Sequence, residues 1–200
     1  MNIMIFVLIV FCISMLILKS YPFQGISSHA RGHCPVVLKL GDDISTDIIY
    51  PGRFMATVLP SETPKYAFAD FTEFNKRIVD GLISGGSVLL AGKNFGCGSS
   101  REQAVSAMHG HGLIVVARGI ARIFLQNSIN LGLVVVVCPD IDANEGDVLA
   151  IQRAVVVNES TGAEYAITPL PEARRAVMEA GGLIAYTRSI LMNAERGAES

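Results

Sequence analysis

Three runs of consecutive apolar residues stand in the middle of the chain, and each has the length of a strand. They are SVLLAG at 87–92, LIVVAR at 113–118 and LVVVVC at 133–138, and two segments of helical length separate them. Continuous rather than alternating hydrophobicity predicts strands that are buried on both faces. Strands that alternate with helices predict parallel pairing through crossover helices. The pattern therefore predicts an α/β core.

Shorter patterns flank this core. A β-rich run at 35–40 predicts a strand. The segment at 65–84 predicts a helix, because four large apolar residues would share one of its faces: Phe68, Phe71, Phe74 and Ile78. The patterns after the core predict a small β meander and then helical segments, at 146–152, 154–157, 164–167, 170–180 and 183–192.

The first 18 residues differ from the rest, because 16 of them are apolar. This length is at the short end of the roughly 17 to 25 residues that span a bilayer. No basic residue precedes Lys19, so the segment does not match a secretory signal peptide. Two interpretations remain open: a membrane anchor with the body on the cytoplasmic side, or a leader that is wrongly joined or disordered in a soluble protein.

Composition and charge set the class of the remaining chain. The 200 residues carry 16 Lys and Arg against 18 Asp and Glu, and this balance, without a basic stripe, excludes nucleic acid as a partner. The four cysteines are too far apart to predict a disulfide framework or a metal site. The predicted organisation is an apolar leader at 1–18, a linker at 19–34, one folded domain at 35–192 and a polar tail at 193–200.

The chemistry is concentrated in the loop GKNFGCGSSREQ at 92–103, between a predicted strand and a predicted helix. Its three glycines allow a sharp turn and a close approach of a ligand. Ser99 with Glu102, or Ser100 with Gln103, has the spacing of a capping box, which predicts that the helix begins here. A helix N-terminus beside Arg101 predicts a site for an anion, either a carboxylate or a phosphate.

Two nucleotide-binding motifs fail on this loop. Lys93 precedes the second glycine, which a P-loop does not allow, and Arg101 stands where a dinucleotide fingerprint needs its third glycine. A purely structural interpretation, a capped helix after a tight turn, explains the serines and glycines. It does not explain Asn94 and Arg101 in the same loop.

Three motifs and a C-terminal signature carry a family resemblance. NFGCGSSREQA at 94–104 resembles the serine loop of the aconitase superfamily, and DISTDIIYP at 43–51 is similar to its D-x-x-T-D-x-I-x-P segment. The residues at 121–132 resemble the A-R-I-F-x-x-N helix that follows the serine loop, and those at 180–183 resemble the C-terminal signature. The chain from 35 to 192 is therefore identified as a member of the small-subunit family of 3-isopropylmalate dehydratase and its homoaconitase-like relatives.

The resemblance implies a three-layer β/β/α swivelling domain of α/β class. Such a domain closes over a large, separately encoded subunit that holds a [4Fe-4S] cluster, so no cluster ligand is expected in this chain. Cys97 would then be a small loop residue. A nucleophilic Cys97 acting with His109 or His111, at the predicted end of the helix after the loop, is an alternative.

The resemblance also implies reversible dehydration of a hydroxy dicarboxylate. Ser99 would be the base, acting as an alkoxide that helix N–H groups and Arg101 stabilise. Ser100 and Arg101 would hold substrate carboxylate oxygens. Thr46 and Asp47 match active-site positions of the family, where the carboxylate would orient a partner histidine or the substrate hydroxyl.

The remaining predicted substrate-binding residues are Asn94, Ala56 and Thr57. In homoaconitase-like small subunits the segment after the T-D-x-I-x-P motif reads Y-L-R-T, and its arginine receives a distal carboxylate. This chain has Ala56 in that position, so a substrate with an apolar branch, 3-isopropylmalate, is favoured. Arg53 is a second cation that could reach inward.

Two alternatives to a cytoplasmic enzyme of leucine biosynthesis stay open. The first is the same reaction on a related dicarboxylate, such as 2,3-dimethylmalate, homoaconitate or citrate. The second is a domain without catalytic activity, tethered to a membrane through residues 1–18, that acts as a binding module.

Overall fold

Seven strands form one sheet in the computed structural model, which describes residues 31–198. They lie in the order β4-β3-β2-β1-β5-β6-β7. Their bounds are β1 Arg31–Lys39, β2 Val88–Ala91, β3 Ile114–Ala117, β4 Val134–Val137, β5 Val148–Ile151, β6 Val155–Asn158 and β7 Ala163–Ala166. Strands β1 to β4 pair in parallel, and β5 to β7 continue the sheet from β1 in antiparallel order. The predicted parallel core and the predicted meander are both confirmed.

Six α-helices and two 3₁₀ turns accompany these strands in the described residues, and the last two helices follow β7. The helices are α1 Thr46–Ile49, α2 Thr72–Val79, α3 Glu102–Gly110, α4 Arg122–Leu131, α5 Glu172–Glu179 and α6 Leu183–Ala198. The 3₁₀ turns are Gly52–Phe54 and Thr63–Tyr66. Helices α3 and α4 are the crossovers between the parallel strands, as the sequence pattern predicts.

Two apolar cores lie on the opposite faces of the parallel strands. Leu89 and Val115 belong to a core that also contains residues of α2, α3 and α4. Their chain neighbours Val88 and Ile114 belong to a second core, shared with the antiparallel strands. Because successive side chains of a strand point to opposite faces, each parallel strand contributes to both cores. This explains why these strands read as continuous apolar runs.

The antiparallel half of the sheet folds over the parallel half. The Thr168 amide, just after β7, donates to the Val137 carbonyl of β4 at 2.8 Å, although these strands are at opposite ends of the strand order. The Cys138 thiol also donates to the Ala166 carbonyl at 3.3 Å. The sheet is thus curled into two layers, and the helices form the third. The β/β/α architecture is confirmed.

Three element boundaries differ from those that the sequence predicts. Strand β1 begins at Arg31, within the predicted linker, because pairing with β5 extends it. The helix predicted at 65–84 is only Thr72–Val79; Phe68 lies outside it with a φ of +52°, and Phe71 is 38% exposed. The last helix continues past 192 to Ala198.

The structure contains no helix between residues 31 and 198 that is both long and apolar enough to cross a membrane. The apolar leader at 1–18 lies outside the described residues, so both of its interpretations remain predictions.

Candidate active site

Two of the predicted motifs run side by side in the structure. The loop between β2 and α3 forms backbone hydrogen bonds with the segment between β1 and α1, over 93–97 and 43–46. The Gly96 amide donates to the Ile44 carbonyl at 2.7 Å, and the Thr46 amide donates to the Cys97 carbonyl at 2.9 Å. The parallel pairing of β1 with β2 brings both segments to the same edge of the sheet.

Helix α4, which carries the third motif at 121–132, packs against this loop. Gly96 has a φ of +76°, and a Cβ atom at this position would lie 2.2 Å from Cγ of Phe124 in α4. The Phe124 ring packs edge to face against Phe95, with ring centroids 5.3 Å apart. Only glycine allows the backbone to pass this close to the ring. Gly96 of the serine loop thus allows the loop to pack directly against α4.

A buried threonine positions the backbone of Ser99. The Thr46 side chain is 2% exposed, and its hydroxyl donates to the Ser99 carbonyl at 2.9 Å. Ser99 itself is exposed, and its hydroxyl has no hydrogen bond to any residue within 31–198. Thr46 therefore fixes the main chain at Ser99 and leaves the serine hydroxyl accessible for chemistry.

Arg101 and Asp47 form an ion pair across the two segments. The Arg101 side chain is 14% exposed, and its Nη1 donates both to Asp47 Oδ1 and to the Tyr50 carbonyl, the latter at 3.2 Å. Asp47, in the first turn of α1, is 57% exposed. Within the described chain, Nε and Nη2 of Arg101 form no hydrogen bond. The guanidinium is thus held through one nitrogen and retains donors for an anion.

The predicted capping box is wrong. Helix α3 begins at Glu102 with Arg101 as its N-cap residue, and no side chain caps it. Ser99 and Ser100 precede the helix because the bond from Thr46 keeps the loop extended there. The Ser100 hydroxyl instead accepts a hydrogen bond from Asn127 Nδ2 of α4 at 3.4 Å. Asn127 is a candidate site residue that sequence reasoning did not assign, although its motif belongs to the family resemblance.

Asn94 lies at the start of the loop and stabilises a turn. Its φ is +59°, and its Nδ2 donates to Asp43 Oδ1 at 2.8 Å, while the Asp43 amide donates to the Lys93 carbonyl at 2.9 Å. The structure therefore gives its amide a role in holding the two segments together. The predicted contact between Asn94 and substrate stays a prediction.

The segment 52–57 begins directly beside the ion pair. A Cβ atom at Gly52 would lie 3.6 Å from Asp47 Oδ1 and 3.7 Å from Arg101 Nη2. Ala56 is exposed further along the segment, and Thr57 is half-buried. The arginine that could reach inward does not do so: Arg53 forms a bidentate pair with Asp70 on the surface. No cation from this segment therefore approaches Ala56.

The two histidines at the end of α3 do not accompany Cys97. His109 lies in the last turn of α3 and His111 directly follows the helix, so about 10 Å of helix or more separates them from the loop. His111 Nε2 hydrogen-bonds with the Pro64 carbonyl at 2.8 Å. Burial lowers the pKa of both His109 and His111 below the ordinary value. For His111, this desolvation outweighs the hydrogen bond with the Pro64 carbonyl, which raises the pKa. A nucleophilic Cys97 acting with either histidine is therefore not supported.

These lowered pKa values predict a pH-dependent stability. An unfolded histidine titrates near 6.5, so below that pH the unfolded state binds more protons than the folded state and is favoured. We expect the free energy of unfolding to fall as the pH decreases from 7.5 through 6.5 to 5.5. Urea denaturation at these pH values measures it. The double variant His109→Gln and His111→Gln should show a shallower decrease, and an equal decrease would contradict the assignment.

The described residues offer no ligand set for a metal cluster. Cys34 and Cys138 are buried in the core and Cys97 lies in the loop, and burial raises the pKa of Cys138 to about 11. Between residues 31 and 198 no three His, Cys, Asp or Glu side chains are grouped so that they could hold a metal ion. An iron–sulfur cluster does not fit this part of the chain.

Comparison with known proteins identifies a protein family that this part of the chain resembles. The family model of the aconitase C-terminal domain matches residues 81–140, which include β2, the serine loop, α3 and α4. This part of the chain is thus similar to the aconitase C-terminal domain.

Similarity to individual proteins assigns the chain to a more specific family. The 3-isopropylmalate dehydratase small subunit of Methanosarcina mazei is 40% identical over 158 residues, which cover 76% of this chain and 94% of that protein. Small subunit 1 of Methanopyrus kandleri is 44% identical, over 72% of this chain and 85% of that protein. A crystal structure of 3-isopropylmalate dehydratase (leuD) from Methanocaldococcus jannaschii matches with a TM-score of 0.73 and 32% identity, over 83% of this chain and 97% of that one. The chain belongs to the family of 3-isopropylmalate dehydratase small subunits.

Proposed function

We propose that this chain is the small subunit of a [4Fe-4S] hydro-lyase that interconverts 2-isopropylmalate and 3-isopropylmalate by dehydration and rehydration, a step of leucine biosynthesis. It is active only with a large subunit. The observation that carries the proposal is the accessible Ser99 hydroxyl on a fixed backbone, beside an arginine with donors left for an anion. The family membership supplies the reaction.

The cluster belongs to the large subunit in this proposal. The described part of this chain has no ligand set for it. The two chains then contribute different parts of the active site. The partner holds the cluster, and this domain supplies the proton-transfer group and the contacts with substrate carboxylates. Closure of this domain over the partner would bring the two halves of the site together.

Ser99 is the proposed base. The carbon next to a carboxylate is a weak acid, and a neutral serine is a weak base, so the serine must react as an alkoxide. Two features favour that anion: the first N–H groups of α3 have no partner within the helix, and the Arg101 guanidinium lies two residues away in sequence. Exclusion of water on assembly with the large subunit would strengthen both interactions.

Arg101 binds a substrate carboxylate in this proposal, and Asp47 orients the guanidinium. The bond from Nη1 to the Tyr50 carbonyl holds the same nitrogen from a second direction. A carboxylate can then meet Nη2 and Nε without displacing either bond. Ser100, whose hydroxyl accepts a hydrogen bond from Asn127, contacts the same anion in this proposal.

The segment 53–59 favours an apolar branch on the substrate. Arg53 is occupied by Asp70, and Ala56 offers no charge. The exposed large side chains near Ala56 are apolar: Met55, Val58 and Leu59. A third substrate carboxylate would therefore lose its hydration here without gaining a cation, which disfavours homoaconitate and citrate.

The experiment that tests the function uses the full chain assembled anaerobically with a cluster-loaded large subunit. The hydration of 2-isopropylmaleate is monitored as a decrease in the absorbance of its double bond. Activity that needs both chains supports the proposal. Association without activity on this substrate would contradict the isopropylmalate assignment and favour a related dicarboxylate, and absence of association would favour a binding module.

Arg101→Lys tests the role of the guanidinium. A lysine ammonium cannot hold Asp47 and the Tyr50 carbonyl while presenting two donors to a carboxylate. We expect kcat/KM to fall about 10- to 100-fold, the loss of a charge-assisted hydrogen bond, with most of the change in KM. Arg188→Lys on the exposed face of α6 is the control, and an unchanged KM in Arg101→Lys would contradict the carboxylate contact.

A further inference from the structure

Tyr50 connects the Arg101–Asp47 pair with the segment 52–57. Its side chain is fully buried, at the end of α1. Its backbone carbonyl accepts a hydrogen bond from Arg101 Nη1 at 3.2 Å. Its hydroxyl lies 3.3 Å from the Phe54 carbonyl and 3.5 Å from the Thr57 carbonyl. One residue thus contacts the ion pair through its main chain and the segment through its side chain.

The hydroxyl closes the turn that carries Ala56. The Thr57 amide also donates to the Phe54 carbonyl, at 2.9 Å, so residues 54–57 form a tight turn. The phenol oxygen is within hydrogen-bond distance of both carbonyls that bound this turn, and a single hydroxyl can share its hydrogen between them. Burial raises the pKa of the Tyr50 phenol, which keeps the group protonated as a donor.

Aromatic packing holds the same turn from outside. The Phe54 ring stacks on Tyr66 with centroids 4.2 Å apart, and Tyr66 meets Tyr50 edge to face at 6.2 Å. The Arg53 guanidinium lies 4.6 Å over the Phe54 ring while it pairs with Asp70. These contacts fix Phe54, but they do not reach Met55 or Ala56. The Met55 amide donates to the Gly52 carbonyl at 3.1 Å. Ala56 lies between the Phe54 and Thr57 carbonyls, both of which Tyr50 contacts.

We infer that Tyr50 is a positioning residue that sets the selectivity for the substrate branch, because its hydroxyl fixes the turn 54–57 relative to Arg101. This inference rests on the proposed function. If the guanidinium binds a carboxylate, the distance from Arg101 to Ala56 determines how large a branch fits. Tyr50 fixes that distance from both ends, and it does so without contacting the substrate.

Tyr50→Phe tests the inference, since it removes the hydroxyl and retains the ring and the backbone carbonyl. Tyr165→Phe is the matched control: its hydroxyl also donates to a backbone carbonyl, that of Asp142 at 2.8 Å, but on β7. Hydrogen exchange of the full-length chain reports the turn directly. Tyr50→Phe should raise exchange of amides at 54–58 about 2- to 10-fold, the worth of one hydrogen bond, whereas Tyr165→Phe should leave them unchanged.

Kinetics of the assembled enzyme report the selectivity. The ratio of kcat/KM for 2-isopropylmaleate to that for 2-methylmaleate should fall about 3- to 10-fold in Tyr50→Phe, with kcat for the smaller substrate retained. A purely structural role would lower activity on both substrates equally. An unchanged ratio, or unchanged exchange at 54–58, would overturn the inference.

Failure of the proposed function is a separate outcome. A wild-type assembly that hydrates neither compound would overturn that function, and with it the selectivity half of the inference. The exchange measurement needs neither partner nor substrate, so it would still decide whether Tyr50 holds the turn.

Discussion

Replacement of Ser99 with alanine should abolish most of the hydratase activity of the assembled enzyme. The variant removes the proposed base and little else, because Thr46 holds Ser99 through the backbone carbonyl, which alanine retains. General base catalysis contributes about 10²- to 10⁴-fold, so we expect kcat to fall within that range with KM changed little. Steady-state kinetics with 2-isopropylmaleate, together with gel filtration of the complex, measures both.

The matched control is Ser189→Ala on α6. Ser189 is also exposed, and its hydroxyl donates only to the Tyr186 carbonyl within its own helix. Its activity should equal that of the wild type. A Ser99→Ala enzyme that keeps more than about a tenth of its kcat while the complex stays intact would assign the base to another group, in this chain or in the partner.

Replacement of Gly96 with alanine should have the largest effect on stability. The added Cβ atom would meet the Phe124 ring at 2.2 Å, far inside contact distance, and the residue would carry a φ of +76°. Overpacking and the disfavoured φ together should lower the free energy of unfolding by about 3 kcal/mol. For a domain of this size the melting temperature should fall by about 6 to 12 °C. Calorimetry or circular dichroism measures the shift.

Gly162→Ala separates the two causes. Gly162 has nearly the same φ, +78°, but no atom lies within 4 Å of the position of its Cβ. Its substitution should therefore cost about 1 kcal/mol, the price of backbone strain alone. Equal melting temperatures for the two variants would contradict the close packing of the serine loop on α4.

The strands were predictable because their signal is local. The runs at 87–92, 113–118 and 133–138 became β2, β3 and β4 within a residue or two at each end. Burial on both faces leaves no polar position in a strand, and that absence can be read without knowledge of the neighbours. The helix predicted at 65–84 failed for the opposite reason: spacing cannot show that Phe68 adopts a φ of +52° and is buried outside the helix.

The start of α3 shows how a tertiary contact overrides local capping. The capping-box spacing is present in the sequence, but Ser99 is held by Thr46, which is 53 residues away. A hydrogen bond from a buried donor outweighs an exposed cap, because a buried donor left without a partner costs more free energy. The helix therefore begins at Glu102, and the serine hydroxyl is exposed at the site rather than used for capping.

The sequence by itself determined the α/β class, the succession of strands and helices along the chain, and the family. It also determined which residues surround Ser99 in the sequence, because all of these depend on residue type and spacing. Only the tertiary structure decided how those residues are used. Parallel pairing of β1 with β2 brings Asp47 to Arg101, α4 supplies Asn127 to Ser100, and Asp70 turns Arg53 away from the site. Such pairings depend on distances between segments that are far apart in the chain, so no local sequence pattern predicts them.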